Sequence, residues 1–296
     1  MTAGQLLREA VIRLRNGGID EPEANAGWLL AAALKKNRLD IISSPQIPVS
    51  AEEQDIFESY MRQKEEGLPL AYILGTQEFI DITLKVDRRV LVPRPETEEM
   101  AELAAEFLKN RIQYMNRART CGTVNILDYG AGSGAIGLWL LSKFPSARLA
   151  AAEKSPEAME CARENAVNLG LADRIDFILT CTPESVAGSF DLIVSNPPYI
   201  PSGIIPGLSP EVLSEPHVAL DGGIDGLSVA RLVLKEAGRL LLPGGGLFME
   251  LSGGDPERLQ REIIPGIWEN TAAEQDFSGQ KRFFTAVRAG NICQAE

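Results

Sequence analysis

Between residues 124 and 251 short apolar runs alternate with segments of helical period, and no other feature restricts the fold as tightly. Val124 to Asp128, Arg148 to Ala152, Ile175 to Leu179, Asp191 to Val194 and Leu247 to Leu251 read as strands. Between them lie helical stretches, one carrying Ile136, Leu138, Trp139 and Leu141, another spanning about Leu227 to Leu240. Strands and helices in alternation build a parallel sheet, because parallel neighbours need a crossover long enough to return the chain. Residues 255 to 290 hold a further helix and two last strands, one near Phe283 to Val287, and Pro243-Gly244-Gly245-Gly246 reads as a turn.

The first strand opens into Gly130-Ala131-Gly132-Ser133-Gly134. Glycines at alternate positions let the backbone turn sharply and meet a ligand with bare N–H groups at a helix start. Glu153, at the tip of the second strand, stands where nucleotide-binding sheets hold a ribose diol. Gly130, Gly132 and Ala135 also fit a dinucleotide fingerprint, so an NAD-dependent oxidoreductase has to be weighed. Asp128 argues against it: an acidic group closing the strand would repel a pyrophosphate and attract an ammonium and a sulfonium. S-adenosylmethionine therefore suits Asp128, the glycines and Glu153 together better than NAD.

The fourth strand runs into Asn196-Pro197-Pro198-Tyr199. Two prolines fix φ and lack N–H groups, which holds the carbonyls of Asn196 and Pro197 out from the turn. Such a turn suits gripping a planar NH2 group by both hydrogens, with Tyr199 as a flat wall beside it. Taken with the glycine loop, it points to methyl transfer onto an NH2 group. Asn196, Pro197 and Tyr199 are the candidate catalytic residues.

Residues 1 to about 70 read as short amphipathic helices, with capping boxes expected at Asp20 with Glu23 and at Ser50 with Glu53. Ile80, Ile82, Leu84 and Val86 alternate with polar residues as a half-buried strand, pairing in a hairpin with Arg89 to Val92. In the stiff segment Val92-Pro93-Arg94-Pro95-Glu96-Thr97-Glu98, Thr97 can cap the helix that follows, and the segment would fold over a ligand pocket. Ser202 to Gly226 is a long connection, read as a substrate-facing flap. A net charge of −12 opposes sequence-independent nucleic-acid binding, and no apolar run is long enough to span a membrane. The single histidine, His217, leaves no multi-histidine metal site. Cys121, Cys161, Cys181 and Cys293 are too scattered for a metal or redox pair.

With GLPLAYILGTQEF (67 to 79), VLVPRPETE (90 to 98), DYGAGSGAIGL (128 to 138) and SNPPYIP (195 to 201), the chain resembles the peptide chain release factor glutamine N5-methyltransferases along nearly its whole length. The resemblance implies a seven-stranded class I S-adenosylmethionine-dependent methyltransferase sheet, an α/β fold, with a small N-terminal helical bundle. It implies an N-terminal helical domain over 1–75, a hairpin and linker helix over 76–110, and a methyltransferase domain over 111–296. Asp128, Gly130, Ala131, Gly132, Ser133, Gly134 and Glu153 should then bind the cofactor, with Asn196 close to it, and Asn196, Pro197, Pro198 and Tyr199 the glutamine of a Gly-Gly-Gln tripeptide. Two departures from the family pattern stand out. Glu153 replaces the usual Asp, and Cys181 with Thr182 stands where related sequences carry an acidic and a bulky residue near the adenine, which leaves Thr182 as the candidate there.

Adenine-N6 methylation of DNA is the alternative, since that target is again a conjugated NH2; the acidic charge counts against it. A non-catalytic binding role is a third reading, which the intact turn opposes. A monomeric cytoplasmic enzyme with release factors as protein substrates, no metal, no membrane and no direct nucleic-acid contact is expected.

Overall fold

The structure, a computed structural model, describes residues 1–117 and 122–290; Cys121 and Cys293 lie outside them. The chain divides into two compact units, Met1–Thr76 with Leu208–Ser214, and Gln77–Gly207 with Glu215–Glu296.

The first unit holds α1 (Ala3–Asn16), α2 (Pro22–Leu34), α3 (Arg38–Ser43), α4 (Ala51–Glu65) and α5 (Leu70–Leu74) around a core that includes Leu14, Leu29, Leu30, Phe57 and Met61. Ser50 and Glu53 form the expected reciprocal cap on α4, and Thr2 with Gln5 forms another on α1. Each such cap is worth about 1 kcal/mol. The box expected at Asp20 and Glu23 is absent. There α2 starts at Pro22 behind Glu21, whose φ is 49°, and no side chain caps it; the proline has already removed one of the donors a cap would serve. Lys64, only 2% exposed, meets Glu211 at 2.6 Å and so seats the segment Leu208–Ser214 within this unit.

Next in the chain come a hairpin of β1 (Thr76–Phe79) and β2 (Ile82–Lys85), then α6 (Pro95–Arg117). The hairpin partner is thus Thr76–Phe79 rather than Arg89 to Val92, and Ile80 sits in the turn at φ 56°. After α6 come β3 (Val124–Tyr129), α7 (Ala135–Lys143), β4 (Ala147–Glu153), α8 (Pro156–Asn168), β5 (Ile175–Leu179) and β6 (Phe190–Ser195). The short helices α9 (Pro210–Leu213), in the first unit, and α10 (His217–Leu220) precede α11 (Ser228–Leu240), β7 (Leu241–Glu250), α12 (Asp255–Gln260), β8 (Trp268–Gln275) and β9 (Lys281–Arg288). α6 is continuous across residues 110 and 111, so the division expected there falls inside a helix.

Seven strands pair in the order β5-β4-β3-β6-β7-β9-β8, parallel from β5 to β7 and antiparallel for the last two pairings. Side chains alternate across the strands. On β7, Leu247 and Met249 join the core beneath α11 with Ala230, Val233 and Ala237, while Phe248 turns the other way to meet Phe107 of α6 at 5.4 Å between ring centroids. The glycine turn expected at 243 to 246 is instead part of β7, with a register shift opposite Phe190 and Leu192. Gly246 fits there because a Cβ would lie 2.6 Å from the Phe107 ring.

Candidate active site

β3 and β6 are neighbours in parallel register, Asp128 opposite Val194, but their crossovers leave toward opposite sides of the sheet. The glycine loop and the Asn-Pro-Pro-Tyr turn therefore leave adjacent strand ends at the point where open α/β sheets form a crevice. The hydroxyl of Ser195 donates to the Tyr129 carbonyl at 2.7 Å and joins the two strand ends.

A cavity of about 190 Å³ opens there. Of the residues singled out in the sequence, Gly130, Ala131, Gly132, Ser133, Glu153, Asn196, Pro197 and Pro198 line it, together with Thr180 and Cys181. Val90, Leu91, Pro93 and Thr97 close it from the proline-rich segment, and Pro216, Val218, Ala219 and Asp221 from the long connection. Arg89 holds the start of that segment through Asp87 at 2.8 Å and a two-pronged bond to Glu164 of α8 at 2.9 and 2.8 Å.

The loop has the form a nucleoside-bearing ligand needs. Gly130 and Gly132 have φ of 76° and 56°, in the left-handed region, and at Gly130 the space a Cβ would fill is open. Their N–H groups are nevertheless already engaged: Gly130 donates to the Ala152 carbonyl at 2.8 Å, and Gly132 to the Glu153 carboxylate at 2.9 Å. The second Glu153 oxygen accepts from the N–H groups of Lys154 at 2.7 Å and Ser155 at 2.9 Å. Glu153 thus holds the loop as well as facing the cavity.

Four expected residues lie off the cavity wall: Asp128, Gly134, Thr182 and Tyr199. Asp128 is 1% exposed beneath the loop, with one oxygen accepting from Gly137 N–H at 2.9 Å and the other without a partner among the described residues. Burial pushes its pKa up to about 7, so its charge is far weaker near neutrality than an exposed aspartate's. Gly134 ends the loop, and a Cβ there would strike Leu138. Thr182 is off the wall while Thr180 and Cys181 are on it, and the Thr182 carbonyl accepts from the Thr180 hydroxyl at 2.9 Å. Tyr199 directs its hydroxyl at Glu250, 3.4 Å away, and burial raises its pKa.

Sequence reasoning missed three polar residues. Thr97 lies inside the first turn of α6, not at its cap, and is 3% exposed; its hydroxyl donates to Glu250 at 2.6 Å and accepts from the Asn196 Nδ2 at 3.1 Å. Glu250 is 1% exposed, and burial pushes its pKa up to about 7. The signal was a lone acid within the apolar run 247 to 251. Asn165, also 1% exposed, donates to the carbonyls of Lys85 at 3.0 Å and Ser133 at 2.9 Å, and accepts the Lys85 N–H at 2.7 Å, so it clamps the glycine loop to β2.

Residues 5–75 match the PrmC N-terminal domain and residues 103–204 the methyltransferase small domain. A release factor glutamine methyltransferase of Moorella thermoacetica is 37% identical over 97% of this chain and 99% of its own length. The Deinococcus radiodurans protein of the same name is 35% identical over 98% and 100%, and that of Bradyrhizobium diazoefficiens 39% over 86% and 83%. Among solved structures, the hMettl16 catalytic domain superposes with a TM-score of 0.51 at 12% identity, covering 70% of this chain and 74% of that one, a likeness of fold alone.

Proposed function

The chain belongs to the release factor glutamine methyltransferase family, and on that premise we propose that it methylates the N5 nitrogen of the glutamine in the Gly-Gly-Gln tripeptide of a peptide chain release factor, with S-adenosylmethionine as donor. The observation that carries this reading is the Asn196 carboxamide, with its Oδ1 unengaged among the described residues, on the cavity wall beside the glycine loop. The alternative of DNA adenine is not favoured by these relatives.

The donor, when bound, supplies an electrophilic methyl on a positively charged sulfur. Gly130, Gly132 and Glu153 fit it, the glycines by close backbone approach and Glu153 as an acceptor for ribose hydroxyls. An amide nitrogen is a weak nucleophile because its lone pair is shared with the carbonyl. Asn196 Oδ1 and the Pro197 carbonyl accept its two N–H bonds, which leaves more electron density on nitrogen and fixes its direction of attack. Placement and fixed dipoles of this kind contribute roughly 3 to 10 kcal/mol. After transfer the methylated nitrogen gives up one proton to solvent, because Asn196, Pro197, Pro198 and Tyr199 offer no strong base. The protein works as a cytoplasmic monomer on a protein substrate; among the described residues no helix is long and apolar enough to cross a membrane.

The deciding experiment incubates the protein with methyl-labelled S-adenosylmethionine, a release factor and DNA. Label on the tripeptide glutamine is expected. Label on adenine, or none on the release factor, would overturn the reading.

A further inference from the structure

Asn196 is useful to the reaction only if its oxygen, and not its NH2, faces the substrate, because the substrate brings two hydrogens of its own. A carboxamide is nearly symmetric in shape, so something must choose between its two orientations. The choice is legible in the hydrogen bonds. Glu250 as a carboxylate can only accept, and it takes the single hydrogen of the Thr97 hydroxyl at 2.6 Å. Thr97 Oγ1 is then left with lone pairs alone toward Asn196, and only Nδ2 can answer it, at 3.1 Å. Oδ1 is turned away from Thr97, and both residues line the cavity.

We propose that Thr97 and Glu250 are positioning residues that set the orientation of the Asn196 carboxamide, and so present an acceptor to the substrate NH2; this rests on the role given to Asn196 above. The arrangement works in one direction only. Were Glu250 protonated, its own hydrogen could go to Thr97, which would free the Thr97 hydrogen for Asn196 Oδ1 and turn the wrong end of the amide toward the substrate. Activity therefore requires the ionised carboxylate. Facing Glu250 are Thr97 and Glu96 from α6, Tyr199 from the turn after β6 and Arg282 from β9; Glu96 opposes ionisation, and Arg282 and the two hydroxyls favour it. Burial is the dominant influence and places the change near neutrality.

Thr97→Val keeps the shape and removes the hydroxyl; kcat should fall about a hundredfold, with cofactor affinity by calorimetry unchanged, and Thr97→Ser should restore most of the loss. Glu250→Gln keeps the volume but can both donate and accept, so kcat should fall and the acid limb of the kcat/KM profile should vanish. Wild-type kcat in Thr97→Val, an acid limb that persists in Glu250→Gln because Asp128 causes it, or a loss of cofactor affinity that Thr97→Ser does not rescue would each overturn the proposal. A measurement without substrate separates this idea from the reading of function. The side-chain NH2 resonances of Asn196 in a nitrogen-15 spectrum should shift through neutrality in the wild type and stay fixed in Glu250→Gln. Fixed resonances in both would refute the relay even if the release factor is methylated, and a shift in the wild type alone would support it even if another amide were the substrate.

Discussion

Ser195 donates its hydroxyl hydrogen to the carbonyl of Tyr129 at 2.7 Å, and both atoms lie at the carboxyl ends of adjacent strands, one residue before the turn and one before the glycine loop. The bond fixes the spacing of the two halves of the site. Ser195→Ala leaves a carbonyl short of a donor in a dry place, at a cost of about 1 to 2 kcal/mol in urea unfolding. It should also lower cofactor affinity and kcat together. A variant with unchanged stability and unchanged kinetics would show that the strands hold their spacing unaided.

Asn196→Ala removes an acceptor that is unengaged among the described residues and leaves the glycine loop untouched. Turnover should be abolished, while calorimetry finds cofactor binding close to that of the wild type. Near-normal methylation by this variant would remove Asn196 from the mechanism.

For Glu153→Ala the weight shifts to the cofactor. The substitution deletes a cavity-wall carboxylate and releases the N–H groups of Gly132, Lys154 and Ser155. Binding of S-adenosylmethionine should weaken by about 1 to 3 kcal/mol, roughly fivefold to 150-fold. Unchanged affinity in calorimetry would exclude the ribose assignment.

The backing of the turn supplies another test. A Cβ on Gly222 would sit 2.7 Å from the Pro198 carbonyl oxygen, and its N–H donates to the Ile200 carbonyl at 2.9 Å. Gly222→Ala must therefore push on the backbone that presents Pro197 and Asn196. A loss of about 1 to 3 kcal/mol in stability is expected, with a fall in kcat that exceeds any change in cofactor affinity. A fully active, fully stable variant would mean that the turn tolerates displacement.

What could be read ahead of the structure were features carried by local sequence. Ile175–Leu179 is a strand with the bounds its apolar run suggested, and Asn196 lies where a strand end followed by two prolines had to put it. Local reading failed where a distant partner decides. Thr97 looked like a helix cap because its carboxylate partner, Glu250, is 153 residues away in the chain. Glycines 244 to 246 looked like a turn because nothing nearby reveals the Phe107 ring that lies against Gly246. The direction of the Tyr199 hydroxyl toward Glu250 was equally out of reach, since that partner is in place only once β7 is.

Glu250 also sets a conflict between stability and chemistry. Its pKa in the folded protein is about 7 against 4.5 for an ordinary glutamate, with burial as the main cause. Between those values the folded state holds a proton that the unfolded chain has released, so stability is full below pH 4.5, declines as pH rises toward about 7, and is level beyond. Asp128, pushed up to about 7 from 3.8, adds a contribution of the same sign. Glu250→Gln abolishes its share: the variant should match the wild type near about pH 5 and exceed it by about 3 kcal/mol near about pH 8 in urea unfolding. The same substitution should cost activity, since a site that needs a buried negative charge keeps it at the expense of stability. A Glu250→Gln protein less stable than the wild type at the higher pH would mean that the carboxylate is well compensated where it lies.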